Sequence, residues 1–181
     1  MDAICDDLAA EHRVLDDIVA AVPESAWDTP TPAEGWTVRD QISHLWFFDQ
    51  RALLAMTDPD AFAADAAWLM DAGGTEASVA PGREMAAADL LSAWRADRHR
   101  LLERSRQLDP STRVKWYGPS MAARSFITAR LMETGARSAR RRFAPPEDSA
   151  ASIAAASRCA TASVRQTFPV RSNIRSSSLA R

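Results

Sequence analysis

An all-α four-helix bundle followed by a disordered basic tail is the fold class the sequence predicts, and three observations predict it. Apolar residues recur at helical spacing in four long stretches. No alternating period-two run, hairpin dipeptide or internal repeat competes with that pattern. The chain also changes material near residue 134, because residues 1–134 hold 13 Arg and Lys against 22 Asp and Glu, whereas residues 135–181 hold 9 against 2. The expected division is therefore a bundle over 1–143 and an Ala/Arg/Ser-rich tail over 144–181.

The elements follow in order. Ile4, Leu8, Leu15, Ile18, Val19 and Val22 share one helical face, and Pro23 stops the run. PESAWDTPTPAEGW reads as a loop pinned by Trp27 and Trp36, since three prolines and a glycine leave no room for a regular element. Thr37 then caps a second helix. Asp40, three residues on, places a carboxylate at the free N–H groups and the positive end of the dipole. That helix runs to about Met56 with an apolar stripe of Val38, Ile42, Leu45, Ala52, Leu53 and Met56. Asp58-Pro59 opens a shorter helix as cap and first residue, reaching Met70 before Gly73-Gly74, and a variable loop is expected up to Pro81-Gly82. The next long helix spans about Glu84 to Leu108, turning Leu90, Leu91, Trp94, Leu101 and Leu102 inward and Arg95, Arg98, His99 and Arg100 largely outward. Ser120 can cap the last helix, which carries Met121, Phe126, Ile127, Leu131 and Met132.

The segment after the seam has little to bury: Ala, Ser and Arg make up 29 of its 47 residues. Ordering a backbone costs roughly 1–2 kcal/mol per residue, so most of 144–181 is expected to be disordered, with some helix around 150–162. Its arginines invite a nucleic-acid reading, but no aromatic platform interleaves them, and specific nucleic-acid binding is not expected. Cys5 and Cys159 lie far apart without C-x-x-C spacing, which excludes a disulfide scaffold and a cysteine zinc site. No stretch approaches the ~18 apolar residues of a membrane span, and the acidic start MDAICDDLAAEHR is unlike a signal peptide. A cytoplasmic location without membrane contact is the expectation.

Bundles build their internal sites from inward-facing polar side chains. Two residues qualify. His44 lies in QISHLWFFD among Ile42, Leu45 and Phe48, one turn after Asp40, and Glu133 lies in RLMET, one turn beyond Ala129. On spacing alone the favoured reading of His44 is a core-edge histidine bonded to a carbonyl or water, and that of Glu133 a solvated last-turn carboxylate. His12, following Glu11, and His99, in RADRHRLLE, read as surface residues, and Asp49 as pointing elsewhere on its helix. H-E-x-x-H, G-x-x-x-x-G-K, G-x-G-x-x-G and G-x-S-x-G are all missing.

GWTVRDQISHLWFFDQRA (35–52) resembles the second-helix signature of the DinB-like metal-binding bundles, and more narrowly the N-terminal domain of mycothiol-dependent maleylpyruvate isomerases. VKWYGPSMAARSFITARLMET (114–134) resembles the last helix of an actinobacterial branch of that group, and the likeness covers roughly residues 1–134. The resemblance implies a divalent metal, zinc first, held by a histidine of the second helix and an E-x-x-x-H pair on the last. It also implies a small-molecule thiol such as mycothiol as co-substrate, isomerase or transferase chemistry at a metal-activated nucleophile, and a homodimer as a possible assembly. Glutamate and histidine four residues apart share a helix face and can converge on one ion. Carried onto this chain, the ligand positions match His44 and Glu133, and the third falls at Arg137. Arginine offers no lone pair. Where the family continues from Met-Glu-Thr into a Trp-Ala-His-Gly-Gln-Asp type of run, this chain reads Gly135-Ala136-Arg137-Ser138-Ala139-Arg140. The mismatch begins at the charge seam. The expectation is that residues 135–181 are read out of frame, replacing a further C-terminal domain; the alternative is a divergent paralogue that gave up its metal.

Overall fold

The computed structural model describes residues 1–31, 34–72 and 74–138, with no side chains from Arg137 onward. The expected tail at 144–181, and with it Cys159, lies outside the described residues. Among the described residues six α-helices are formed: α1 (Asp2–Ala20), α2 (Val38–Thr57), α3 (Pro59–Asp71), α4 (Thr75–Arg83), α5 (Ala87–Arg106) and α6 (Ala123–Ser138). Two short strands, β1 (Arg113–Val114) and β2 (Met121–Ala122), pair antiparallel ahead of α6. The all-α expectation holds, because these strands only brace the turn into the last helix.

The long helices α1, α2, α5 and α6 enclose two apolar clusters. One joins Leu15 and Val19 of α1, Ile42 and Leu45 of α2, and Leu90 and Trp94 of α5. The other joins Cys5 and Leu8 of α1, Ala52 and Met56 of α2, Phe62 of α3, Leu101 of α5, and Phe126 and Ile127 of α6. Helix directions follow from this membership. α1 runs from the second cluster to the first, while α2 and α5 both run from the first to the second, so α2 and α5 are parallel. A parallel pair needs a long return connection, and α3 and α4 lie in it. α6 starts in the second cluster and runs beside α1, giving an up-down-down-up bundle.

The local signals at the helix starts act as expected. Thr37 and Asp40 form a reciprocal capping box, with the Thr37 N–H donating to Asp40 Oδ2 at 2.8 Å and the Asp40 N–H donating to Thr37 Oγ1 at 3.3 Å. Asp58 caps α3 by accepting from the Ala61 N–H at 2.9 Å, with Pro59 in the first turn. Trp27 is buried with its indole N–H on the Val22 carbonyl, as a pin for the preceding loop requires.

Three expectations need correction. The loop expected between Gly73-Gly74 and Pro81-Gly82 is largely helix α4, packed along α2. The last helix begins at Ala123, not beside Ser120, because Met121 and Ala122 are taken by β2. Arg95 and Arg98 do not simply face solvent: both donate to Asp16 of α1, and Arg106 donates to Asp6 at 2.6 Å. These arginines tie α5 to α1. Burial pushes the Asp16 carboxyl up, but the two guanidinium hydrogen bonds outweigh it and hold the group below its ordinary value. Among the described residues, no helix is long and apolar enough to cross a membrane.

Candidate functional site

His44 sits in the first half of α2, near its contact with α4, and is 4% exposed. The Trp36 and Phe48 rings lie against its imidazole, with centroids at 4.9 and 4.6 Å. Its Nδ1 lies 2.8 Å from Ser78 Oγ, and Ser78 Oγ in turn donates to the Thr75 carbonyl at 2.5 Å. The imidazole is thus oriented by a side-chain hydroxyl, where the core-edge reading expected a carbonyl or water.

That contact depends on α4 approaching α2 closely. A Cβ on Gly82 would fall 2.4 Å from the Ser43 Cβ, so only glycine fits there. The Gly82 N–H donates to Ser43 Oγ at 3.1 Å, and the same hydroxyl lies 3.1 Å from the Ser78 and Val79 carbonyls. Arg83, at the end of α4, reaches back to Asp40 at 2.7 Å. The capping carboxylate of α2 thus also fastens α4. Arg39 holds the other side, donating to Asp28 at 2.8 Å and to the Met85 carbonyl.

Between the two apolar clusters lies a polar layer that spacing alone did not reveal. Asp49, far from pointing elsewhere, is fully buried and accepts from Arg130 of α6 at 2.6 Å and from the Trp94 indole N–H at 3.1 Å. His12, expected at the surface, is 2% exposed and packs edge-on against Trp94. Neither of its ring nitrogens has a hydrogen-bond partner among the described residues. Burial drives its pKa down to about 4, Asp49 opposing and Arg98 and Arg130 adding to the shift. The missed signal was present: Leu8, His12, Leu15 and Val19 follow helical spacing, which puts His12 on the apolar face. His99 does lie at the surface, 3.5 Å from Glu103.

Glu133 is half-buried on α6, three residues beyond Arg130. The helices bearing His44 and Glu133 are thus tied to each other by the Asp49–Arg130 pair. As a three-donor metal centre the set does not fit. Among the described residues, no three His, Cys, Asp or Glu side chains are grouped to hold a metal ion, and the position completing the E-x-x-x-H pattern is Arg137, which has no lone pair to give.

The up-down-down-up bundle is an all-α fold of the DinB-like kind, in keeping with the family match. The chain belongs to the family described as the mycothiol maleylpyruvate isomerase N-terminal domain, whose model matches residues 8–139. Two curated relatives from Mycobacterium tuberculosis, the uncharacterized proteins Rv0036c of strain H37Rv and MT0041 of strain CDC 1551, are each 44% identical over 138 residues. The alignment covers 72% of this chain and 51% of each relative, so the chain spans about half the length of the curated relatives it matches. No solved structure matches.

Proposed function

We propose that this chain is the metal-site domain of a thiol-dependent isomerase or transferase lineage, carrying two of the three metal-ligand positions. His44 and Glu133 are the retained ligands, and the arginine at position 137 leaves the chain with weak zinc affinity or none. The observation that carries this reading is the buried His44, clamped between Trp36 and Phe48 and oriented by Ser78, within a domain that matches the family over residues 8–139. A small-molecule thiol, mycothiol first, and a second copy of the chain are the partners that go with it, in the cytoplasm.

A ligand that binds the native state selectively raises the unfolding temperature, by roughly 2.7 kcal/mol of stability at a hundred times its Kd. Thermal unfolding with and without excess zinc tests the proposal. Zinc should leave the parent nearly unmoved and raise the Tm of Arg137→His; no rise in that variant refutes the ligand assignment. A second reading, a non-enzymatic bundle acting through protein association, is favoured by Trp68 and Met70, which stand 53% and 55% exposed on α3. It predicts that both chains ignore zinc.

A further inference from the structure

We propose that Ser78 is the positioning residue of His44: its hydroxyl fixes the imidazole as the Nδ1–H tautomer and so assigns the ring's lone pair to Nε2. The inference rests on the reading of His44 as the side chain through which the site works, and it adds how α4 prepares that side chain.

The argument counts protons. A carbonyl oxygen carries none, so the 2.5 Å contact between the Thr75 carbonyl and Ser78 Oγ must hold the Ser78 hydroxyl proton; without it two oxygen lone pairs would face each other at that separation. A serine hydroxyl has one proton to give. With that proton committed to Thr75, Ser78 Oγ can only accept from His44, and the 2.8 Å contact requires the proton to sit on Nδ1. A neutral imidazole with Nδ1–H bears its lone pair on Nε2. Nε2 is then the acceptor nitrogen of the ring.

The rest of α4 serves the same end. Gly82 lets the helix come close enough for Ser78 to reach the ring, and Ser43, adjacent to His44 in sequence, takes the Gly82 N–H. Trp36 and Phe48 restrain the ring plane by packing, but neither can choose between tautomers. The Ser78 hydroxyl, bonded to Nδ1, can.

The test is long-range 1H–15N correlation on the ring nitrogens of His44 in the intact, metal-free chain at a pH where the imidazole is neutral. The parent should show a protonated Nδ1 and an unprotonated Nε2. Ser78→Ala should move the population toward the Nε2–H form, and Ser78→Thr, which keeps the hydroxyl, should restore the parent pattern. An Nε2–H ring in the parent overturns the proposal, as does an unchanged tautomer in Ser78→Ala. The metal reading fails separately: zinc that leaves the His44 resonances of Arg137→His unmoved removes that reading while the tautomer assignment stands.

Discussion

Arg130 on α6 donates to the Asp49 carboxylate on α2 at 2.6 Å, and both side chains are shut away from solvent. The pair lies between the two apolar clusters, where it joins the helix carrying His44 to the helix carrying Glu133. The second Asp49 oxygen is used by Trp94 of α5, so one carboxylate links three helices of the bundle. Its contribution is to alignment more than to stability, since a buried ion pair gives back in desolvation most of what it gains in attraction.

Removing one partner of that pair is a different matter from removing both. Asp49→Ala leaves the Arg130 guanidinium buried without its counter-charge and should cost about 3–5 kcal/mol, whereas Asp49→Leu combined with Arg130→Met should cost far less. Urea unfolding of the single and double variants measures the difference. Equal losses in both would show that the pair acts through packing alone.

His12 gives the fold an acid-sensitive element. Its pKa is about 4 in the folded chain and about 6.5 when unfolded, so below pH ~6.5 the unfolded chain takes up a proton that the fold refuses. Stability contributed by this group therefore falls as pH drops from about 6.5 to 4 and is untouched above 7. At 1.36 kcal/mol per unit the full loss is roughly 3 kcal/mol. Urea midpoints across that range should slope downward toward acid in the parent and flatten in His12→Leu. Asp16 adds a separate loss at lower pH, because its carboxyl is held below its ordinary value and must be protonated before its arginine bonds weaken.

Gly82→Ala should destabilise by about 1–3 kcal/mol, since its Cβ would stand 2.4 Å from that of Ser43 and α4 must shift to admit it. Ser43→Gly in the same chain removes the obstructing atoms. Ser43→Gly carries its own cost in lost hydroxyl bonds, so the comparison is a cycle: adding Gly82→Ala to Ser43→Gly should lower the Tm much less than adding it to the parent, and an equal loss in both would show that the close approach is not the cause.

How much was legible in the sequence depended on whether a signal was local. The start of α2 was, because Thr37 and Asp40 meet across three residues of backbone and need nothing else. α4 was not. Pro81 and Gly82 are loop residues by propensity, and what keeps Thr75–Arg83 helical is packing on α2 and the Arg83–Asp40 contact, neither visible along the chain. His44 and its surroundings were found by period, but its orienting partner Ser78 sits 34 residues away. Asp49 and Arg130 lie on the apolar stripes of their own helices, Asp49 between Leu45 and Ala52 and Arg130 after Phe126 and Ile127. Opposite charges on two such stripes signal a buried pair once the helices are known to face each other.

The seam near residue 134 makes a prediction at the nucleotide level. An independent read across the codons from Met132 to Arg142, translated in all three frames, should yield in a neighbouring frame a histidine four residues after Glu133 and a continuing amphipathic helix. If no frame does so, the basic segment belongs to the protein and the paralogue reading replaces the out-of-frame one.

The most direct measurement is zinc affinity by competition with a chromophoric chelator for the parent, Arg137→His, and Arg137→His carrying either His44→Ala or Glu133→Gln. If His44, Glu133 and position 137 form one site, Arg137→His binds zinc at least about tenfold more tightly than the parent, a gain of about 1.4 kcal/mol, and either second substitution abolishes that gain. Equal affinity in the parent and Arg137→His, or a gain that survives the loss of His44, would contradict the assignment.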